Sequence, residues 1–531
     1  MTSSPIPAPR EDAPRAAISR AAGQAALAGV VAAAAALGLS ELIAGLLPGA
    51  PSLVAAVGQT TIDLQPPGAK DLVVALFGTN DKLALELFVI GVGVVAGAAL
   101  GVVARRSFLL AAAGFGLFGA IGFVTGLGDP LANPAIAAGA AGISVVVGIK
   151  VLGWLLGSTA KSPGDERAGA LQRMPDWSRR SFLIRSSAVG IGSVAAGLSG
   201  RSLIELARTA PSGAASTIPP ATEIVPTLPS GADLSAAIAD LTPIVMPNER
   251  FYRIDTALLV PSVQLSSWSL RIHGLVERET TLTWAELLAL PMFEQYVTIA
   301  CVSNEVGGNL VGNAKWTGVR LREVLDIAGV HPSATQLVGR SVDGFTAGMP
   351  TAWIMDPSRE PMIAVKMNDE PLPRSHGFPA RLIIPGLYGY VSATKWLSEL
   401  QLTTLEDFDG YWIPLGWAKE APILTQSRID TPTGFGLGAG RVPIAGIAWA
   451  PDRGVSRVEV AVDGVWREAR LSTPITDSTW VQWVLDWDAT SGDHTIMVRA
   501  TDGNGVLQTE QRSRPAPDGA RGWHTRQVSV G

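Results

Sequence analysis

Apolar positions are distributed unevenly along the chain. Before residue 205 they form long, nearly unbroken runs, and after about residue 240 they recur at the shorter spacings of strands and amphipathic helices. Runs at 21–47, 83–104, 108–127 and 135–156 each reach the roughly 20 residues needed to cross a hydrocarbon core. A fifth run, 182–198, is shorter and carries several Ser and Gly residues. Length and scarcity of charge favour membrane spans over buried helices of a soluble domain. Residues 68–79 form an apolar stretch too short to span, which predicts an interfacial helix.

Polar residues between the runs set an orientation. Arg10, Arg15 and Arg20 precede the first run, Arg105 and Arg106 separate the second and third, and Lys161, Arg167, Arg173, Arg179 and Arg180 separate the fourth and fifth. The intervening connections are poorer: residues 48–82 hold only Lys70 and Lys82, and residues 128–134 hold no basic residue. Basic loops stay in the cytoplasm, so five spans with a cytoplasmic start put everything after about residue 200 outside. Glu41 and Glu86 lie near span ends and read as interfacial rather than as a proton path. The runs contain no histidine, which rules out a two-histidine transmembrane haem. This half reads as an anchor, with a partner-docking role open. The string SRRSFL at 178–183, before the weakest run, resembles a twin-arginine export signal placed internally, a reading that the Phe-Leu and the low hydrophobicity of the run favour over ordinary stop-transfer arginines. Such a route carries folded proteins and suits a domain that acquires a cofactor before export. Residues 210–229, rich in Pro, Ser, Thr and Ala, read as a semi-extended linker.

From about residue 242 the pattern is that of a mixed α/β domain. Strand-like runs fall at 297–301, 336–342, 362–366, 380–384 and 400–405, and helix-like patterns at 283–290 and 320–329. Thr283 with Glu286 three residues on forms a capping-box signature, and Gly329 is placed as a C-cap. Beyond residue 421 the period becomes two. Val458, Val460 and Val462 alternate, Asp463-Gly464 turns the chain into 466–471, and Val481, Trp483, Leu485 and Trp487 alternate again before a strand at 494–501. Short strands joined by such turns predict an immunoglobulin-like sandwich.

Composition narrows the function classes. With 16% charged residues in 531 and a net charge of −5, the chain lacks the basic surface of a nucleic-acid-binding protein. Its one cysteine excludes an intramolecular disulfide and any Cys-rich zinc or iron–sulfur site. All five histidines lie at or after His273, and His494 and His524 read as exposed or core polar residues rather than metal ligands.

That cysteine, Cys301, follows an apolar strand, a position from which a side chain can be held rigidly and still face a cavity. From the residues alone three readings stand: a buried structural thiol, a nucleophile partnered by a histidine such as His376, or a metal thiolate. Around it lie NERFYRID at 248–255, VTIACVSN at 297–304, KWTGVRL at 315–321, SVDGFT at 341–346, NDEPLPRSHGFPARL at 368–382 and PGLYGYVSATKWL at 385–397. Together, over about 150 residues and in this order, they resemble the sulfite oxidase family of molybdopterin oxidoreductases, and the resemblance extends over roughly residues 240–531.

The resemblance implies molybdenum held by one molybdopterin and by the Cys301 thiolate, with oxygen-atom transfer coupled to two-electron transfer. It implies His376 and Arg381 as pterin-binding residues, Thr394 and Lys395 as further pterin contacts, and Asp343 as another. Arg253 matches a pocket arginine, and Asp255 a cofactor-contacting position that is commonly histidine in animal enzymes. Trp316 matches a tryptophan lining the substrate channel, and Tyr411 is the candidate for the tyrosine that hydrogen-bonds an oxygen on the metal. Where the family follows the metal cysteine with an Asn-Arg-Arg run, this chain has Asn304, Glu305 and Val306, which weakens the case for an anionic substrate such as sulfite. Arg521 is offered as a replacement positive charge.

The expected architecture is therefore multi-domain. A transmembrane helical bundle (1–205) and a linker (206–240) precede an α+β sulfite-oxidase-like molybdopterin domain (241–420) and an all-β immunoglobulin-like dimerisation sandwich (421–531). The expected protein is a multi-pass enzyme of the cytoplasmic membrane, its catalytic domain on the extracytoplasmic side and its spans in contact with lipid. It acts on a small molecule, carries no haem and binds no nucleic acid, and it exchanges electrons with a separate carrier or membrane redox partner. Homodimer formation is left open. The alternative is a metal-free membrane receptor or scaffold with a degenerate sulfite-oxidase-like domain.

Overall fold

The computed structural model describes residues 12–64, 81–129, 131–157, 176–209, 218–433 and 435–531. The expected interfacial segment 68–79, residues Arg10, Lys70, Lys161, Arg167 and Arg173, the side chains of Arg15, Arg20 and Arg179, and residues 210–217 of the linker lie outside it. The chain divides into two compact units, Met1–Arg208 with Ala257–Leu259, and Thr209–Thr256 with Val260–Gly531.

The first unit is helical: α1 (Asp12–Leu46), α2 (Leu53–Asp63), α3 (Asp81–Ala104), α4 (Phe108–Gly126), α5 (Pro134–Gly157) and α6 (Asp176–Thr209). Among the described residues five stretches are long and apolar enough to cross a membrane by length and composition: Ala21–Leu46, Lys82–Ala104, Phe108–Gly126, Pro134–Gly157 and Arg180–Leu206. Helix α1 meets two neighbours nearly backbone to backbone. A Cβ on Gly29 would stand 1.9 Å from the Gly97 carbonyl oxygen of α3, and one on Gly38 would stand 2.2 Å from the Ser193 carbonyl of α6. Small residues at helix crossings allow the close approach that drives association where no water is expelled.

The two glutamates read as interfacial prove to be enclosed. Glu41 is 6% exposed and Glu86 8%. Ser52 Oγ lies 2.7 and 2.8 Å from the two carboxylate oxygens of Glu41. Arg201 of α6 donates to Glu86 of α3, and its other terminal nitrogen lies 3.8 Å from Glu41 of α1. Three helices thus share one ionic cluster. The interfacial reading overlooked it because Arg201 lies beyond the residues counted as the fifth apolar run.

In the second unit two sheets carry residues 269–403. One has the order β2-β1-β10-β5-β6 and comprises β1 (Ser269–Gly274), β2 (Thr280–Thr283), β5 (Gln336–Ser341), β6 (Thr346–Pro350) and β10 (Leu397–Thr403); β1 is parallel to β10 and the rest are antiparallel. The other, wholly antiparallel, has the order β3-β4-β7-β8 over β3 (Met292–Ala300), β4 (Val311–Arg320), β7 (Met362–Met367) and β8 (Glu370–Pro371), with β9 (Arg381–Ile383) also on β7. Short helices α7 (Trp284–Leu288), α8 (Leu321–Ala328), α9 (Thr351–Met355) and α10 (Gly389–Ser392) lie between strands. The Thr283–Glu286 capping box forms as read, and Gly329 ends α8 at φ +70°.

Two further sheets carry residues 426–530. The first, of order β11-β13-β17-β16, contains β11 (Gln426–Thr431), β13 (Gly440–Trp449), β16 (Arg470–Leu471) and β17 (Val481–Ala489). The second, of order β12-β19-β18-β14-β15, contains β12 (Phe435–Leu437), β14 (Val455–Val462), β15 (Val465–Glu468), β18 (Gly492–Asp502) and β19 (His524–Val530). Ile444 and Trp483 from one sheet share an apolar core with Val458, Val460 and Val498 from the other. The turn at Asp463 and Gly464 has φ of +50° and +82°, as a two-residue hairpin loop requires.

Candidate functional site

Cys301 stands one residue past β3, buried, with its backbone N–H donating to the Leu310 carbonyl at 2.9 Å. Its Sγ lies 3.4 Å from Ser303 Oγ. The loop that follows is anchored from β11 and β19: Arg428 donates to the Gly308 carbonyl at 2.8 Å, and Gly307 lies so close to His524 that a Cβ would stand 2.4 Å from the ring. His524 Nδ1 accepts from the Ile429 N–H at 2.9 Å, which fixes the ring, and burial lowers its pKa to about 4. Neither His494 nor His524 belongs to a three-residue metal-binding group among the described residues.

Two tyrosines are coupled electrostatically to the thiol. Tyr252, in the 248–255 segment, has its pKa raised far above 10 by burial first and by Cys301 second. Tyr388, just before α10, is pushed up to about 12, again by burial first, with Cys301, Asp518 and Arg521 also acting on it. A Cβ on Gly389 would stand 3.6 Å from the Ala300 carbonyl and 3.9 Å from Tyr252 Oη, so the 385–397 segment lies directly against the end of β3.

Behind Tyr252 an aromatic hub joins three of the sequence segments. Phe251 stacks on Tyr252 at 5.3 Å and meets Trp316 and His376 edge-on at 6.0 and 5.7 Å. The hub holds its register because the Asn248 carbonyl accepts from His376 Nε2 at 2.9 Å and the Asn248 side-chain oxygen accepts from Asn368 at 2.9 Å. His376 is buried, and burial together with Lys395 and Arg381 holds its pKa down to about 3, so the ring is neutral. With Nε2 donating, Nδ1 is left as a buried acceptor without a partner among the described residues.

Arg381 is buried as well. Its Nη1 donates to the His376 carbonyl at 3.0 Å, its guanidinium lies 5.1 Å from the centre of the Trp316 ring, and its Nε has no hydrogen-bond partner among the described residues. Burial lowers its pKa to about 10. Lys395 donates to Asp255, to the Ser375 carbonyl at 3.2 Å and to the Ile254 carbonyl at 3.2 Å, while burial brings it down to about 8. Asp255 also accepts from Arg253 Nε at 2.6 Å. Asp343 is raised by burial, and Asp255 adds to the shift, so it belongs to the same cluster. Gly377 makes this packing feasible: it has φ +112°, and a Cβ there would stand 3.1 Å from both Lys395 Cα and Arg381 Cβ.

The structure therefore brings Arg253, Asp255, Asp343, His376, Arg381 and Lys395 into one nest, with Cys301 joined to it through Tyr252. Thr394 borders the nest, but its hydroxyl donates to the Gly339 carbonyl at 3.3 Å and is fully buried. One residue sits differently from its expected place. Trp316 lines no open channel: it is 0% exposed, its indole N–H donates to the Val297 carbonyl at 3.3 Å, and its ring supports Arg381. Tyr411 packs against Phe345 and Trp412, with its backbone N–H on Thr346, and Tyr252 and Tyr388 are coupled electrostatically to Cys301. Tyrosine is scarce in the chain, with five residues, all between 252 and 411. That clustering is the signal in the sequence for Tyr252 and Tyr388, which the motifs alone did not single out as site residues. Arg521 is paired to Asp518 beside Tyr388.

Residues 257–412 match the family described as an oxidoreductase molybdopterin binding domain. The chain is similar to the mitochondrial sulfite oxidase of Drosophila melanogaster, 31% identical over 323 residues, or 50% of this chain and 55% of that protein. It is also similar to NADH nitrate reductase 1 of Oryza sativa subsp. japonica, 35% identical over 48% of this chain and 34% of that protein. The crystal structure of the sulfane dehydrogenase SoxCD from Paracoccus pantotrophus aligns at 22% identity with a TM-score of 0.48, covering 54% of this chain and 81% of that one. The chain thus spans only about half the length of the fly sulfite oxidase, at 55%.

Proposed function

The chain belongs to the sulfite oxidase family of molybdopterin oxidoreductases, and from that premise we propose a membrane-anchored enzyme that couples oxygen-atom transfer to two-electron transfer on a small extracytoplasmic substrate. The observation that carries this reading is a buried, cation-rich nest with unsatisfied donor and acceptor atoms, next to the chain's only thiol.

The nest fits the cofactor. Arg253, Arg381 and Lys395 outnumber the one strongly paired carboxylate, Asp255, and burial opposes the charge of Lys395 and Arg381. Buried charge without compensation is costly, and a bound phosphate would supply the missing anion. Arg381 Nε offers a donor to an oxyanion, and His376 Nδ1 offers an acceptor to a pterin N–H. In this reading His376, Arg381, Lys395, Arg253, Asp255, Asp343 and the Thr394 backbone hold the pterin, and Cys301 supplies the metal thiolate. When bound, molybdenum in one pterin dithiolene supplies the two-electron, oxygen-atom chemistry, and the protein orients and tunes it.

Tyr252 and Tyr388 keep their protons at neutral pH, because burial raises both pKa values far above neutrality. Each then offers an O–H donor toward the thiol, alongside Tyr411, the tyrosine that the resemblance assigns to hydrogen-bond an oxygen on the metal. Ser303 sits where its hydroxyl can turn to donate to the Cys301 sulfur once that sulfur is a thiolate. Glu305 and Val306 take the place of arginines and favour a substrate less charged than sulfite, including sulfur compounds such as sulfoxides.

The domain limits follow the sequence reading: an anchor over 1–205 with the twin-arginine-like string 178–183, a linker to 240, the catalytic domain to 420 and an immunoglobulin-like dimerisation sandwich thereafter. Basic residues at span ends support an extracytoplasmic catalytic domain in the cytoplasmic membrane. Electrons pass to or from a separate carrier or membrane partner.

Metal analysis of the purified full chain tests the proposal. About one molybdenum per chain is expected, and Cys301→Ser should retain pterin while turnover falls by several orders of magnitude. Absence of molybdenum from properly matured protein would leave the receptor or scaffold reading in its place.

A further inference from the structure

Arg521 is the one arginine offered by the sequence as a substitute for missing anion-binding charge, yet its guanidinium is already occupied. Nη1 donates to Asp518 Oδ1 at 2.9 Å and Nη2 to Oδ2 at 2.7 Å, a two-pronged pair that satisfies the face an oxyanion would use. The loop bearing the pair is fastened at several points. The Gly519 N–H donates to the Pro515 carbonyl at 2.6 Å, the Ala418 N–H to the Pro517 carbonyl at 2.9 Å, and the Ser513 N–H to the Arg521 carbonyl at 3.0 Å.

This loop abuts the Cys301 site. A Cβ on Gly519 would stand 2.5 Å from Tyr388 Oη, and the segment that carries Tyr388 lies against the end of β3 through Gly389. Asp518 and Arg521 both act electrostatically on Tyr388, as Cys301 does. A dianion entering here would meet a carboxylate and a guanidinium that cancel.

We propose that Asp518 is a specificity residue: by neutralising Arg521 at the edge of the Cys301 site, it makes that site select an uncharged oxygen-atom donor or acceptor over a dianion. The inference rests on the oxidoreductase reading above and deepens it by naming the substrate class. An uncharged polar substrate, such as a sulfoxide or thioether, loses nothing to the cancelled charge and can accept a hydrogen bond from Tyr388.

The test uses the full chain and three variants, Asp518→Asn, Arg521→Gln and the double substitution, with inorganic sulfate as an inert dianion titrated by calorimetry. Any sulfate bound in the Arg381–Lys395 nest is common to all four proteins and cancels in the comparison. Asp518→Asn should tighten sulfate binding by roughly three- to tenfold, the scale of one partly exposed charge. The double variant should lose that gain. In parallel, kcat/KM for sulfite relative to that for dimethyl sulfoxide should rise in Asp518→Asn. An unchanged sulfate affinity in Asp518→Asn, or a gain that survives in the double variant, overturns the proposal. Molybdenum content, measured on the same samples, judges the oxidoreductase reading separately, because the sulfate titration does not require the metal.

Discussion

Two bases in the nest hold their protons less tightly than they would in water, and this has a measurable consequence for folding. The pKa of His376 is about 3 in the folded chain, against an ordinary 6.5. Between those values the unfolded chain takes up a proton that the folded chain refuses, so stability falls as pH drops below 6.5 and continues to fall toward 3. His376→Gln keeps a side chain able to hydrogen-bond and does not titrate. Its loss of stability between pH 7 and pH 5 should be shallower than that of the wild type, read from urea midpoints at the two values; parallel curves would rule out a neutral buried ring. Lys395 behaves in the same sense at higher pH. With a folded value near 8 against 10.5, its buried charge opposes folding at neutral pH, and that opposition is relieved only as pH rises from about 8 to 10.5. An anion bound in the nest removes the same penalty at neutral pH. Burial thus works against the charged forms of two residues assigned to the cofactor.

At the scale of elements, the nest depends on a turn that tolerates no side chain. Gly377 lies in the left-handed region and presses on Lys395 and Arg381, so Gly377→Ala adds backbone strain and pushes both cations aside. Cofactor retention should drop severalfold while the unfolding temperature shifts by only a few degrees; full retention of molybdenum and pterin would refute this dependence. Elements with a local signature were legible in the sequence. The Thr283–Glu286 box, the Gly329 cap and the Asp463-Gly464 hairpin each rest on contacts within a few residues, and each forms where read. Strand β4 went unread because its code is not local. Eight of its ten residues are buried, on both faces, which removes the alternation that marks a half-exposed strand. Gly318 within it serves a bulge, since a Cβ there would stand 2.0 Å from the Ile363 carbonyl of β7. The site followed the same rule. Residues carried by the resemblance gathered in the nest, whereas Tyr252 and Tyr388 are coupled to Cys301 across 49 and 87 positions, which no local pattern records.

At the scale of the whole molecule, the helical unit is more than a set of apolar rods. Its least apolar candidate span, Arg180–Leu206, is held to α1 by close backbone contacts at Gly38–Ser193 and Gly200–Glu41, and it brings Arg201 to Glu41 and Glu86. Removing one member of a buried ionic cluster costs on the order of 3–5 kcal/mol, because the remaining charges lose their compensation, whereas removing charge in balance costs far less. Arg201 is about one-third exposed, at 35%, so the lower part of that range applies. Arg201→Leu should therefore loosen α6 from α1 and α3, lower the unfolding temperature in detergent and open the helical unit to limited proteolysis. Pairing it with Glu86→Gln should recover much of the loss, since that double variant leaves Glu41 satisfied by Ser52 Oγ and the Val54 N–H. A single variant as resistant as the wild type would mean that the small-residue contacts alone hold the helices together. A double variant no better than the single one would mean that Arg201 acts through its packing and not its charge.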